Sequence, residues 1–93
     1  MKQLPPNVNA YKKTKAFTEL TIPAGLLKNH QTLPEVWGKI VILKGKIEYV
    51  IESGDDANEV IVLDDGKFGV VEPQVLHHLR ILDEVEFYVE FYK

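Results

Sequence analysis

The sequence predicts an all-β fold, a sandwich or barrel of short strands, and three observations carry that expectation. Segments rich in Val, Ile, Phe and Tyr recur between turn signals about ten residues apart. No long stretch holds the 3.6-residue period of an amphipathic helix. The last segment alternates strictly, with Val85, Phe87, Val89 and Phe91 set against Glu86, Tyr88, Glu90 and Tyr92. That is the period of a strand with one core face and one polar-aromatic face.

Taken in order, residues 1–10 hold two prolines and two asparagines with little periodicity, and read as an extended arm. Tyr11-Lys12-Lys13-Thr14-Lys15 is the basic run of the chain and reads as a solvated edge. Ile40 to Leu43 is continuously apolar, as in a strand buried on both faces. Lys44-Gly45-Lys46 then predicts a tight turn, with Gly45 at positive φ, into a hairpin partner over Ile47 to Ile51. A polar loop follows from Ser53 to Asn58, and the next strand over Glu59 to Leu63. Further turns are expected at Asp64-Asp65-Gly66, Glu72-Pro73 and Leu82-Asp83-Glu84. No repeat, low-complexity tract or linker divides the chain, so one domain over 1–93 is expected.

Composition narrows the function classes. A chain of 93 residues buries a smaller share of its surface than a larger one, so its stability margin should be thin. The 45% hydrophobic and 27% charged residues are ordinary for a folded domain. A net charge of -3 argues against nucleic acid, which needs a basic field. No apolar run is long enough to span a bilayer, and the start lacks the apolar core of a signal peptide, so no membrane partner and a cytoplasmic address are expected. Without cysteine there is no disulfide, thiolate nucleophile or cysteine-based zinc site, and any metal must sit on histidine and carboxylate. Ser53, the one serine, lies in a polar loop and makes a poor nucleophile.

Several pieces of the chain resemble a known family. They are Tyr11-Lys12, Phe17-Thr18, Pro23-Ala24, His30-x-Thr32, Trp37-Gly38-Lys39, Leu43-Lys44-Gly45, Val71-Glu72-Pro73-Gln74, His77 and Phe91-Tyr92. In this order and spacing they are similar to the cupin-like domain at the N-terminus of tellurite-resistance B proteins and in small free-standing relatives. The resemblance implies a double-stranded β-helix, the jelly-roll barrel of cupins. It also implies a cytoplasmic module associated with tellurite or similar oxyanion stress. The methyltransferase domain that follows in longer relatives has no counterpart here, and no Gly-rich strand-to-helix turn offers a site for S-adenosylmethionine.

What the resemblance implies for a site is a divalent metal (zinc, iron, nickel or manganese) at one mouth of the barrel, on His30 and His77. Two imidazoles and a carboxylate leave positions open for water or substrate. Alternation in the segment Val75 to Ile81 turns His77 inward and His78 outward. The cupin pattern is incomplete: its glutamate, seven residues before the glycine matched by Gly45, is here Gly38. Glu35, beside Pro34, and Glu90, on the face opposite Phe87 and Val89, are the remaining carboxylate candidates. Trp37, Tyr49, Tyr88 and Tyr92 could line a pocket for a small organic ligand, or serve as core and interface residues.

The leading reading is a small binding module that holds a divalent metal or a small ligand in its barrel, with small molecules and oxyanions both open as that ligand. A metal-dependent enzyme of dioxygenase or isomerase type and a structural or oligomerising domain are the alternatives, since one fold hosts many activities. A homodimer is expected as well, because exposed strand edges and apolar faces are hard for so short a chain to cover alone, and the N-terminal arm is the candidate to cross.

Overall fold

The computed structural model describes residues 3–28, 30–52 and 58–93, and the predicted loop at Ser53 to Asn58 lies outside the described residues except for Asn58. The described residues form six strands: β1 (Ala10–Lys13), β2 (Phe17–Thr18), β3 (Trp37–Ile51), β4 (Glu59–Asp64), β5 (Phe68–Val71) and β6 (His77–Tyr92). A 3₁₀ turn, Ala24–Leu27, interrupts the link from β2 to β3. The chain is therefore all-β, and its strands form one antiparallel sheet in the order β1-β6-β3-β4, with β2 also on β6 and β5 also on β3.

β3 and β6 are the spine. They pair from Trp37↔Tyr92 to Ile51↔His77. β5 covers the other side of the first half of β3, from Gly38↔Val71 to Val41↔Phe68. β4 covers the second half, from Lys46↔Asp64 to Ile51↔Glu59.

Two sequence expectations need correction here. Lys44-Gly45-Lys46 does not reverse the chain, and neither does Leu82-Asp83-Glu84; both lie inside continuous strands. The register passes from Ile42↔Phe87 to Lys44↔Glu86, then from Gly45↔Val85 to Ile47↔Ile81. Leu43 is thus an extra residue on β3, and Leu82, Asp83 and Glu84 face Lys46 alone. The glycine and aspartate signals are those of bulges, which draw on the same residue types as turns and bend both long strands at one level. Gly45 does adopt φ 81°.

The bulges also reset the side-chain alternation. Ile40 and Ile42 point inward before them, and Ile47 and Tyr49 after them, an odd step that an uninterrupted strand could not take. Ile40 to Leu43 is accordingly buried on one face only, since Leu43 is exposed. Because the spine bends, both halves of the sheet share one core: Ile40, Ile42, Ile47, Tyr49, Leu79 and Phe87 belong to a single cluster. Phe17 on β2, opposite Phe87, packs on its ring at 5.7 Å.

The bulge leaves the Val85 N–H free to donate to the Glu19 carboxylate at 3.0 Å. That bond and one to its own backbone hold the Glu19 carboxyl below the usual range. Asn9 and Lys93 exchange backbone hydrogen bonds of 3.1 and 3.0 Å, which extends the pairing of β1 with β6 by one step.

Candidate functional site

The bent spine encloses an apolar pocket of about 300 Å³. Its base is made by inward residues of the long strands, Ile40, Leu79 and Val89, which alternation aims at the core. Phe17, Val71 and Phe91 line it as well. Pro23, Gly25 and Leu26 lie over it from the 3₁₀ turn. Pro23 and Gly25 are exposed and mark its rim.

Two imidazoles meet on one wall. His77, at the start of β6, is 4% exposed, whereas His30 comes from the link between β2 and β3 and is half-buried. Their backbones exchange hydrogen bonds of 2.8 and 2.9 Å, an isolated bridge that pins the link to β6. Thr32 strengthens the clamp: its hydroxyl donates to the Val36 carbonyl at 2.7 Å and accepts the Gln74 N–H at 3.3 Å. The rings stand edge to face with centroids 5.1 Å apart, and His30 Nδ1 lies 3.4 Å from His77 Nε2. Tyr49 backs His77 edge-on at 5.7 Å and donates its hydroxyl to the Val70 carbonyl at 3.0 Å. Burial pushes the Tyr49 phenol well above its ordinary range.

The hydrogen bonds assign tautomers. His77 Nδ1 lies 3.1 Å from the Val75 carbonyl oxygen, which can only accept, so Nδ1 carries the proton. In the neutral ring His77 Nε2 is then an acceptor, and His30 Nδ1 donates to it. That leaves His30 Nε2 as an acceptor with no hydrogen-bond partner among the described residues.

Desolvation is the main influence on His77 and lowers its pKa, with the neighbouring His30 acting the same way and the Val75 carbonyl opposing them. A histidine kept neutral in the fold costs stability in acid, because the unfolded chain takes up a proton near pH ~6.5 that the folded chain refuses. Stability should therefore fall as pH drops from about 6.5 toward the lowered folded value. Thermal melts between pH 7 and 5 check this, and His77→Gln should flatten the dependence.

The other predicted site residues lie elsewhere. Glu35 is exposed, with φ 67°, in the turn before β3. Glu90 sits on the outer face of the sheet, paired with Lys39, and accepts the Tyr92 hydroxyl at 3.2 Å. Trp37 is directly opposite Tyr92, and Tyr88 lies under the Lys13 ammonium at 4.5 Å. None of these five lines the pocket. His78 turns outward to the Glu52 carboxylate at 2.9 Å. Among the described residues no group of three or more His, Asp or Glu stands close enough to hold a metal ion together.

Sequence reasoning missed Phe17, Pro23, Thr32, Gly38, Val71 and Phe91 as pocket residues. All six fall within the short segments that carry the family resemblance, and that is the signal that could have found them. Gly38 is informative: it faces the pocket where the cupin pattern places its glutamate, and a Cβ there would meet Val71 at 3.2 Å.

Comparison with known proteins places the chain in a family. A family model described as the TehB-like domain matches residues 12–89. The probable S-adenosyl-L-methionine-dependent methyltransferase TehB of Haemophilus influenzae (strain 10810) is 34% identical over 85 residues, covering 88% of this chain and 30% of that protein. This chain thus spans about a third of the length of that relative. The uncharacterized protein YeaR of Escherichia coli K12 is 26% identical over 99 residues, covering 99% of this chain and 83% of that one. A crystal structure of an E. coli K12 protein superposes with a TM-score of 0.87 at 25% identity, over 100% of this chain and 97% of that one. TehB from H. influenzae superposes with a TM-score of 0.82 at 26% identity, over 94% of this chain and 32% of that one.

Proposed function

The chain belongs to the TehB-like domain family, and from that premise we propose that it is a small-ligand-binding module of cupin type, with the pocket over His30 and His77 as its binding site. One observation carries this reading: an apolar cavity of about 300 Å³ has a pair of imidazoles as its polar anchor. Pockets for small molecules are concave and mostly apolar, with a few polar groups that set orientation. A bent two-stranded spine with inward-facing residues from both halves is what a jelly-roll barrel requires, and it supports the cupin assignment. The methyltransferase activity in the name of the longer relatives is not carried over to this module.

A second reading, a divalent metal on the histidine pair, is favoured by a specific distance. Two nitrogens bound to one tetrahedral zinc at roughly 2.0–2.1 Å are about 3.3 Å apart, and His30 Nδ1 and His77 Nε2 are 3.4 Å apart. The Val75 carbonyl on His77 Nδ1 is the partner that a ligating histidine commonly has. The His30 ring would then carry its proton on Nε2, and the remaining positions would face the pocket. An oxyanion of the kind associated with the family would bind there.

Amide-resolved NMR with a set of one-ring fragments tests the first reading. Shifts should concentrate at His30, Leu79, Val89 and Phe91; shifts confined to the outer face would overturn it. Elemental analysis of protein purified without added metal tests the second. About one equivalent of metal is expected, falling at least about tenfold in His77→Ala and little in His78→Ala. Equal content in wild type and His77→Ala would rule the pair out as ligands.

A further inference from the structure

The hydrogen-bond inventory of the pocket limits what can enter it, and this inference rests on the pocket being a binding site. Among the described residues, none that lines the pocket is Lys, Arg, Asp or Glu. Four lining side chains are polar, and three of them are already engaged. The Thr14 hydroxyl donates to the Lys15 carbonyl at 2.8 Å and accepts the Val89 N–H at 3.0 Å. Thr32 is engaged on both sides, by Val36 and Gln74. Both nitrogens of His77 are engaged as well, Nδ1 by Val75 and Nε2 by His30. Among the described lining side chains only His30 Nε2 remains, and in the neutral pair it accepts.

We propose that the metal-free pocket selects an uncharged, one-ring apolar molecule that carries a single hydrogen-bond donor, of the phenol or cyclic-alcohol class, with its O–H on His30 Nε2. Size agrees with this class. An apolar cavity of about 150 Å³ is enough for benzene, and about 300 Å³ leaves room for a ring with its substituents. Charge agrees as well: a carboxylate would lose its water without meeting any cationic side chain, a transfer that costs far more than burying a hydroxyl that is hydrogen-bonded. A ligand that can only accept would put its oxygen against the lone pair of His30 Nε2, leaving two buried acceptors unpaired. The molecule would rest on the apolar base formed by Ile40, Leu79 and Val89, with Phe17 beside it.

The test is a set of four one-ring probes titrated into the chelator-dialysed chain and followed by NMR. Phenol offers a donor, anisole only an acceptor, toluene neither, and benzoate a charge. Phenol should bind at least about tenfold tighter than anisole or toluene, and benzoate should not shift pocket signals at concentrations where phenol saturates. His30→Leu should bring phenol down to the toluene affinity while toluene binding persists. The comparison among probes on the wild-type chain stands even where that variant folds poorly. Toluene or benzoate binding as tightly as phenol would overturn the ligand class and leave the pocket as a binding site. No probe shifting any pocket signal would overturn both.

Discussion

Gly45→Val should be the most damaging single substitution outside the hydrophobic core, lowering stability by about 2–5 kcal/mol when backbone strain and steric overlap are combined. Two causes coincide at this position. Its φ of 81° lies in the region that side chains avoid, most of all β-branched ones. A Cβ built there would overlap the carbonyl oxygen of Glu84 and come within 2.9 Å of Val85 Cα, both backbone atoms of the partner strand that cannot swing aside. Gly66 separates the two causes, because it has the same φ of 81° but nothing within 4 Å of its Cβ position. Gly66→Ala should cost only the local strain of about 1–2 kcal/mol, and Gly45→Ala distinctly more. Thermal melts of the two alanine variants measure the difference. Equal midpoints would mean that β6 does not pass behind Gly45 as described, and the register of the bulge would have to change. The consequence reaches the pocket, since a slipped register would turn Leu79 and His77 away from it.

Phe87→Ala is expected to cost about 3–5 kcal/mol, the range for deleting a fully buried aromatic ring. Phe87 is 0% exposed and sits at the centre of β6, against the ring of Phe17. Stability on this scale is a large part of what a domain of 93 residues possesses. The functional effect follows from the same contact. Phe17 both lines the pocket and packs on Phe87, so with Phe87 removed its ring can sink into the vacated space and widen the cavity. Denaturant unfolding gives the stability change, and the affinity for a one-ring probe gives the second readout. A loss below about 1 kcal/mol would show that the core collapses around the deletion more completely than the Leu-to-Ala experience in other proteins allows.

Much of the fold could be read from residue order because the information was local. Alternation in Val85 to Tyr92 predicts both the strand and its buried face, and Val85, Phe87 and Val89 are buried as expected. Asp64-Asp65-Gly66 does turn the chain between β4 and β5, and His77 does face inward while His78 faces out. Each of these depends on a side-chain period or a turn preference that a few neighbouring residues decide.

The bulges and the pocket depended on the partner strand instead. Lys44-Gly45-Lys46 carries the same preference for positive φ whether the chain reverses or kinks, and only Glu84 and Val85 lying across from it decide for the kink. The pairing of His30 with His77, 47 residues apart, came from the family resemblance, and its geometry from the bridge that ties their backbones. Glu90, Trp37, Tyr88 and Tyr92 have the right chemistry for a site, but the bend of the spine turns the other face of the sheet toward the pocket, and Glu35 stays in the exposed turn before β3. Residue type and period are properties of the chain itself, and they determined that this protein is all-β with His77 in its interior. Which residues enclose a volume is a property of how two bent strands close on each other, and tertiary structure alone decided that.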